Sequence, residues 1–282
     1  MDSVGLILEG GGMRGVYTAG VLDYFNERNL YFPYTIGVSA GACMGASYLS
    51  GQIGRNRKVN VGFVTDPRYI SWGNLLKKRQ LFGMDFIFDE IPNQLVPFDY
   101  EAFFERKEEY VIGTTDCETG ETVYYKKEPG YDLLNILRAS SSLPFIAPIV
   151  EIGRRKLLDG GLSDPIPLRK AERDGFGRNV LILTRNEDYR KSPNRTPWLL
   201  RRAYRAYPKL VETMLSRHEV YNETLEYIAE QEKKGNVFVI RPQETLTVGR
   251  TERDPAKLDA LYVQGYEDAK RLYPALMEWS ER

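Results

Sequence analysis

Two glycine-rich turns near the start of the chain carry the residue types of an acyl-transfer site. Gly10-Gly11-Gly12-Met13-Arg14-Gly15 follows the apolar run Val4-Gly5-Leu6-Ile7-Leu8, and Gly37-Val38-Ser39-Ala40-Gly41 follows Tyr34-Thr35-Ile36. Each turn falls where a strand stops and a helix starts. The second fits G-x-S-x-G, the tight turn that exposes a serine hydroxyl at the top of a sheet, with Gly37 and Gly41 as the small residues of the elbow. The first offers bare backbone N–H groups, the donors that hold a developing oxyanion. Nucleophile and anion hole both fall within the first 41 residues.

Each turn also has a plainer reading. Gly10, Gly12 and Gly15 satisfy G-x-G-x-x-G, but dinucleotide binding also needs an acid after the second strand, and that strand runs into Gly37-Val38-Ser39. A phosphate loop would need Gly-Lys-Ser/Thr, which is absent. A structural turn needs fewer than three consecutive glycines, whereas an exposed glycine-rich helix start is usually an anion site. Ser39 needs a base to become a nucleophile. The one histidine, His218, lies on the apolar face of a predicted helix, Lys209–Glu232. The order Ser39, Asp159, His218 would fit a triad, but a mid-helix histidine reads better as packed and hydrogen-bonded. Asp159 ends the short strand Leu157-Leu158 and opens Asp159-Gly160-Gly161, where two glycines let the carboxylate approach another backbone. A plain Asp-Gly turn is the competing reading.

The elements that must position these groups read as an α/β fold, a mostly parallel sheet with helices on both faces. Val4–Glu9, Tyr34–Val38, Val180–Thr184 and Val237–Ile240 are apolar strands, and Tyr110–Thr115 with Thr122–Lys126 forms a hairpin. Ala40–Leu49 is a buried helix, Tyr131–Ser140 is helical, and Pro255–Trp279 is a long amphipathic helix. In such sheets ligands bind at the carboxyl ends of strands, where both glycine turns fall. The organisation reads as one domain over residues 1–282, with a motif-bearing core at 4–185 and a helical part with one more strand at 186–282.

The three elements in this order resemble the patatin-like phospholipase family, and most closely its bacterial members. Arg138-Ala139-Ser140-Ser141-Ser142-Leu143-Pro144-Phe145-Ile146-Ala147-Pro148, leading into Leu158-Asp159-Gly160-Gly161, is similar to the family's segment before its catalytic aspartate. The resemblance implies a three-layer α/β/α fold and a Ser–Asp dyad, with Ser39 as nucleophile and Asp159 as general base. It also implies an oxyanion hole from backbone N–H groups around Gly11, Gly12 and Met13, with Arg14 as the usual basic residue of that loop. One position departs: many members carry Asn where Asp164 stands, so the support of the dyad loop differs here.

Composition narrows the remaining classes. Hydrophobic residues are 42% and charged residues 28%, with zero formal net charge, so no global field draws the chain to nucleic acid or membrane. Two isolated cysteines, Cys43 and Cys117, and one histidine build neither a disulfide framework nor a zinc site, and no metal or cofactor is expected. No signal peptide is read at Met1-Asp2-Ser3, and no apolar run approaches the roughly 18 residues of a membrane span, so the expected location is the cytoplasm. Between Arg185 and Lys209, six basic residues from Arg190 to Arg205 interleave with Trp198, Leu199, Leu200, Tyr204 and Tyr207. Such a mixture suits peripheral contact with an anionic membrane, against a solvated helix whose aromatic face packs on the core. Leu81–Phe88 reads as core packing or as an apolar rim over the site. The function expected is a serine acyl hydrolase of lipid or phospholipid esters. Its alternatives are a Ser-Asp-His carboxylesterase and an inactive lipid-binding regulator.

Overall fold

The structure is a computed structural model that describes residues 3–71, 73–75 and 80–281. Met1 and Asp2, read above as part of the N-terminus, lie outside the described residues. The strands are β1 (Val4–Leu8), β2 (Tyr34–Val38), β3 (Glu109–Asp116), β4 (Thr122–Lys126), β5 (Val150–Ile152), β6 (Arg155–Asp159), β7 (Arg178–Ile182) and β8 (Val237–Ile240). They form one eight-stranded sheet in the order β5-β6-β3-β2-β1-β7-β8, with β4 paired to β3. Pairings β1–β2, β1–β7, β2–β3 and β7–β8 are parallel, and those among β3, β4, β5 and β6 are antiparallel. The fold is therefore the expected mostly parallel α/β sheet.

Both faces of the sheet are covered, which explains strands without polar alternation. Leu6 and Leu8 pack into one core and Ile7 into another on the opposite face. The first core takes the helices Gly15–Glu27, Ala40–Leu49 and Pro255–Glu281. The second takes Leu168 and Ala171 of the helix Leu168–Arg173, with Tyr221 and Ile228 of the helix Pro208–Lys233. The C-terminal helix sits against the first helix at a reciprocal glycine contact. A Cβ on Gly20 would lie 2.0 Å from the Tyr262 carbonyl oxygen, and one on Gly265 would lie 2.1 Å from that of Tyr17. Tyr17 donates to Asp268 at 2.9 Å and Tyr262 to Asp23 at 2.7 Å, so the ends of the chain are tied together.

Between the elbow helix and β3 the chain forms a wide helical turn, Phe86–Leu95, with π-type hydrogen bonding around Pro92, whose missing N–H favours such irregularity. Leu81, Met84, Phe86 and Phe88 are buried in the first core, as the core-packing expectation required. Among the described residues no helix is long and apolar enough to cross a membrane.

Candidate active site

Ser39 follows the last residue of β2 and caps the helix Ala40–Leu49 with φ 54° and ψ −129°. A non-glycine residue in this region costs about 1–3 kcal/mol and persists only where its surroundings impose it. The imposition is visible on both sides. A Cβ on Gly41 would lie 2.5 Å from the Leu8 carbonyl oxygen, so only glycine lets the helix start this close to β1. The Ser39 N–H donates to Ser140 Oγ at 2.8 Å, and Ser140 Oγ donates to the Gly113 carbonyl of β3 at 2.7 Å. The elbow is thus bolted to the neighbouring strand.

Asp159 reaches Ser39 because two strands meet head to head on one edge of β3. Gly113 pairs with Val38 of β2 and with Tyr124 of β4, so β2 and β4 lie on opposite edges. Thr114 pairs with Val123 of β4 and with Asp159 of β6, so β6 shares the edge of β2. β2 runs out at Val38 and the antiparallel β6 runs in to Asp159, one register position beyond. Ser39 Oγ donates to Asp159 Oδ2 at 2.5 Å, and Gly161 N–H donates to Asp159 Oδ1 at 2.8 Å. The Asp159 N–H donates to the Ser142 carbonyl at 2.9 Å, and Thr115 Oγ1 donates to the Asp159 carbonyl at 2.8 Å. The serine run 140–142 therefore clamps both partners. Asp159 is 2% exposed and Ser39 7%. Burial raises the Asp159 pKa, opposed by the hydrogen bond from Ser39 and the charge of Arg217.

His218 lies within the helix Pro208–Lys233, its Nδ1 3.0 Å from the Leu215 carbonyl of its own helix. With both Asp159 oxygens already engaged, no histidine stands between Asp159 and Ser39. The Asp164 departure is absorbed locally: its carboxylate accepts from Tyr124 OH at 2.5 Å.

The first glycine turn lies against the elbow. A Cβ on Gly10 would be 3.1 Å from Ser39 Cβ, and one on Gly15 would be 2.8 Å from Ala40 Cβ. Gly12 has φ +58°, and a Cβ there would lie 2.6 Å from the Arg250 carbonyl oxygen. That carbonyl accepts the Met13 N–H at 3.0 Å. Met13, expected among the oxyanion donors, thus has its N–H already engaged, which leaves Gly11 and Gly12 as the candidate donors of the three. The side chain of Arg14 is 3% exposed, and its Nε has no partner among the described residues.

Two cavities are lined in part by Ser39. One has an empty volume of about 930 Å³ and is walled by Met44, Phe82, Met84, Ile87, Phe88 and Phe98, so Leu81–Phe88 supplies core and pocket wall together. The other, of about 450 Å³, is walled by the glycine turn, Asp159 and a set of basic side chains. Composition and spacing could not reveal the second wall, because its residues come from distant parts of the chain.

The family model described as patatin-like phospholipase matches residues 6–172, and a domain of unknown function, DUF6363, matches residues 207–281. Uncharacterized protein YjjU of Escherichia coli K12 is 27% identical over 260 residues, spanning 90% of this chain and 72% of its own length. Uncharacterized NTE family protein Mb1092c of Mycobacterium bovis is 26% identical over 172 residues, or 58% of this chain and 44% of its own; this chain thus matches less than half of that relative. The solved structure of VipD from Legionella pneumophila aligns with a TM-score of 0.48 at 14% identity, covering 98% of this chain and 67% of that one. The patatin-like match takes in more than half of the 282 residues, including both glycine turns and the Asp159 loop, and the chain belongs to the patatin-like phospholipase family.

Proposed function

We propose that the chain is a lipid acyl hydrolase that works through a Ser39–Asp159 dyad and an acyl-enzyme. The family carries the coarser statement, a hydrolase of lipid esters. The observation that carries the finer one is the direct 2.5 Å bond from Ser39 Oγ to Asp159. Asp159 takes the Ser39 proton as Oγ bonds to the ester carbonyl carbon. The negative oxygen is held by the Gly11 and Gly12 N–H groups, near the starts of two helices whose dipoles favour it. Collapse breaks the bond to the alcohol oxygen, which leaves with the proton from Asp159. A water then gives its proton to Asp159 and attacks the acyl-Ser39 carbonyl; the C–Oγ bond breaks, the fatty acid leaves, and Ser39 Oγ takes the proton back from Asp159. The apolar cavity takes the acyl chain. A raised Asp159 pKa suits a carboxylate that must accept a proton from a hydroxyl.

The chain acts as one patatin-like unit whose C-terminal part completes the site, and it meets lipid at an anionic surface. Trp198 is 65% exposed, with Leu199 and Phe145 also exposed and Arg201, Arg202 and Arg205 beside them on the outer surface. Phe145 belongs to the loop after the serine run, and its N–H donates to Tyr204 OH at 2.9 Å, joining this patch to the site. A fluorophosphonate probe followed by peptide mapping tests the reading: covalent labelling is expected at Ser39 and absent in Ser39→Ala. A folded wild-type protein that is not labelled, yet binds lipid, would be the inactive regulator instead.

A further inference from the structure

Ser39, Gly12 and Leu143 line both cavities, so a substrate carbonyl at Ser39 sits at their junction. The acyl chain occupies the apolar side. Whatever the ester's alcohol carries must then extend into the second cavity. That cavity is lined by Arg14, Arg185, Lys191, Arg217 and Arg250, against the carboxylates of Glu9 and Asp159 alone. Two carboxylates face five cations, and the closest hydrogen bonds of both go to other groups. Glu9 Oε1 accepts from Tyr221 at 2.6 Å and Oε2 from the Thr184 N–H at 2.6 Å, while Asp159 is held by Ser39 and Gly161.

The cations lack carboxylate partners among the described residues, although Arg185 lies over the Tyr189 ring and Lys191 over that of Tyr221. None of the five forms an ion pair among the described residues, and the Nε atoms of Arg14 and Arg185 are buried without a hydrogen-bond partner. Arg217 spends its Nε on the Gly161 carbonyl, beside the dyad. Burial, then the charges of Arg217, Arg250, Arg14 and Arg185, push the Lys191 ammonium down to about 7. A set of half-buried like charges is costly to hold together unless an anion completes it. Guanidinium groups with open donors suit the bidentate geometry of phosphate oxygens, and the excess of positive charge exceeds what one carboxylate would balance.

Resting on the hydrolase reading above, we propose that this basic cavity binds a phosphate group on the alcohol side of the ester, so that the enzyme selects acyl esters of small phosphorylated alcohols over neutral glycerides. The phosphate leaves with the alcohol when the acyl-enzyme forms. The site draws on chain far outside the catalytic motifs: Arg185 and Lys191 follow β7, Arg217 lies on the helix Pro208–Lys233, and Arg250 follows β8.

The test compares oleoyl lysophosphatidic acid with monooleoylglycerol in the same detergent micelles. The ratio of their kcat/KM values should favour the phosphate by roughly tenfold or more, the scale of a charge-assisted hydrogen bond. Lys191→Gln and Arg250→Gln should each lower that ratio by a similar factor, and Lys191→Arg should restore it. Calorimetry on Ser39→Ala reads binding without turnover: the phosphate lipid should bind more tightly than the neutral one, and the added Lys191→Gln should remove the difference. Equal kcat/KM for the two lipids, or a ratio that neither glutamine substitution moves, overturns the proposal. Inorganic phosphate that binds while the lipids are treated alike assigns the cavity to free phosphate and overturns the headgroup role. Selective binding by Ser39→Ala, with no ester cleaved by the wild type, keeps the phosphate site and sinks the hydrolase reading instead.

Discussion

The two walls around Ser39 are made in opposite ways. The apolar wall comes mainly from the stretch between the elbow helix and β3, and its residues belong to the main core or pack against it. Apart from Arg14, the basic wall comes from loops and a helix beyond residue 172, where the patatin-like match ends, and its cations form no ion pair among the described residues. Packing that stabilises the fold also shapes the first wall, so under the proposed function it would take an acyl chain in proportion to apolar area. The second wall opposes folding stability through desolvated charge. On the phosphate proposal its residues are explained by recognition, and selectivity of this kind comes from charge arrangement more than from area.

The chemistry at the junction of the walls gives the largest expected effect. Asp159→Asn should lower kcat by roughly 10⁴-fold, the scale seen when a triad carboxylate becomes an amide, while His218→Ala keeps most activity. Loss of activity in the histidine variant would replace the dyad by a triad. Because Asp159 is raised above the usual carboxylate range, kcat/KM should fall on the acid side through a limb lying above the ordinary value of about 4. The direction follows from the base being active only when deprotonated. A limb at or below that value would remove burial as a factor.

The glycine turn comes next. Gly11→Val should lower kcat by on the order of 10²-fold, the loss of one oxyanion donor, because a Cβ there would already lie 2.9 Å from Thr184 Oγ1 and the turn must shift. An unchanged kcat in the folded variant would make the turn structural only.

The outer patch should matter less, and only at membranes. Changing Arg201, Arg202 and Arg205 to Gln should weaken binding to anionic vesicles by about 1 kcal/mol per residue at low salt, and by less as salt screens the surface. Hydrolysis of a soluble short-chain ester should be nearly unaffected. Equal vesicle binding by both proteins at low salt would return these arginines to an ordinary solvated surface.

The smallest effect sharpens the contrast between the walls directly. Ile87→Trp fills the apolar side and should disfavour long-chain esters relative to short ones by roughly tenfold, as pocket volume does elsewhere. The preference for phosphate should be untouched, since Ile87 lines only the apolar cavity among the two. A change in that preference would mean the walls are coupled.

Residue type and spacing determined a good deal of this. Glycine runs before helices, a serine in G-x-S-x-G and unbroken apolar strands are local signals, so the elbow, the turn and the parallel core were legible, and β2, the elbow helix and β8 fall on the expected residues. The short edge strand β5 carried too few residues to be read. The basic segment was seen only as a surface, yet the fold divides it: Arg185 and Lys191 turn toward Ser39 while Arg190, Arg201, Arg202 and Arg205 stay outside. Three further things belong to the tertiary structure alone. The edge of β3 brings the ends of β2 and β6 together, so Ser39 Oγ donates to Asp159 across 2.5 Å. The serine run 140–142 holds both backbones in place. The basic cavity assembles charges from positions 14 to 250. All three depend on contacts between segments remote in the chain, and sequence patterns report only the spacing of neighbours along it.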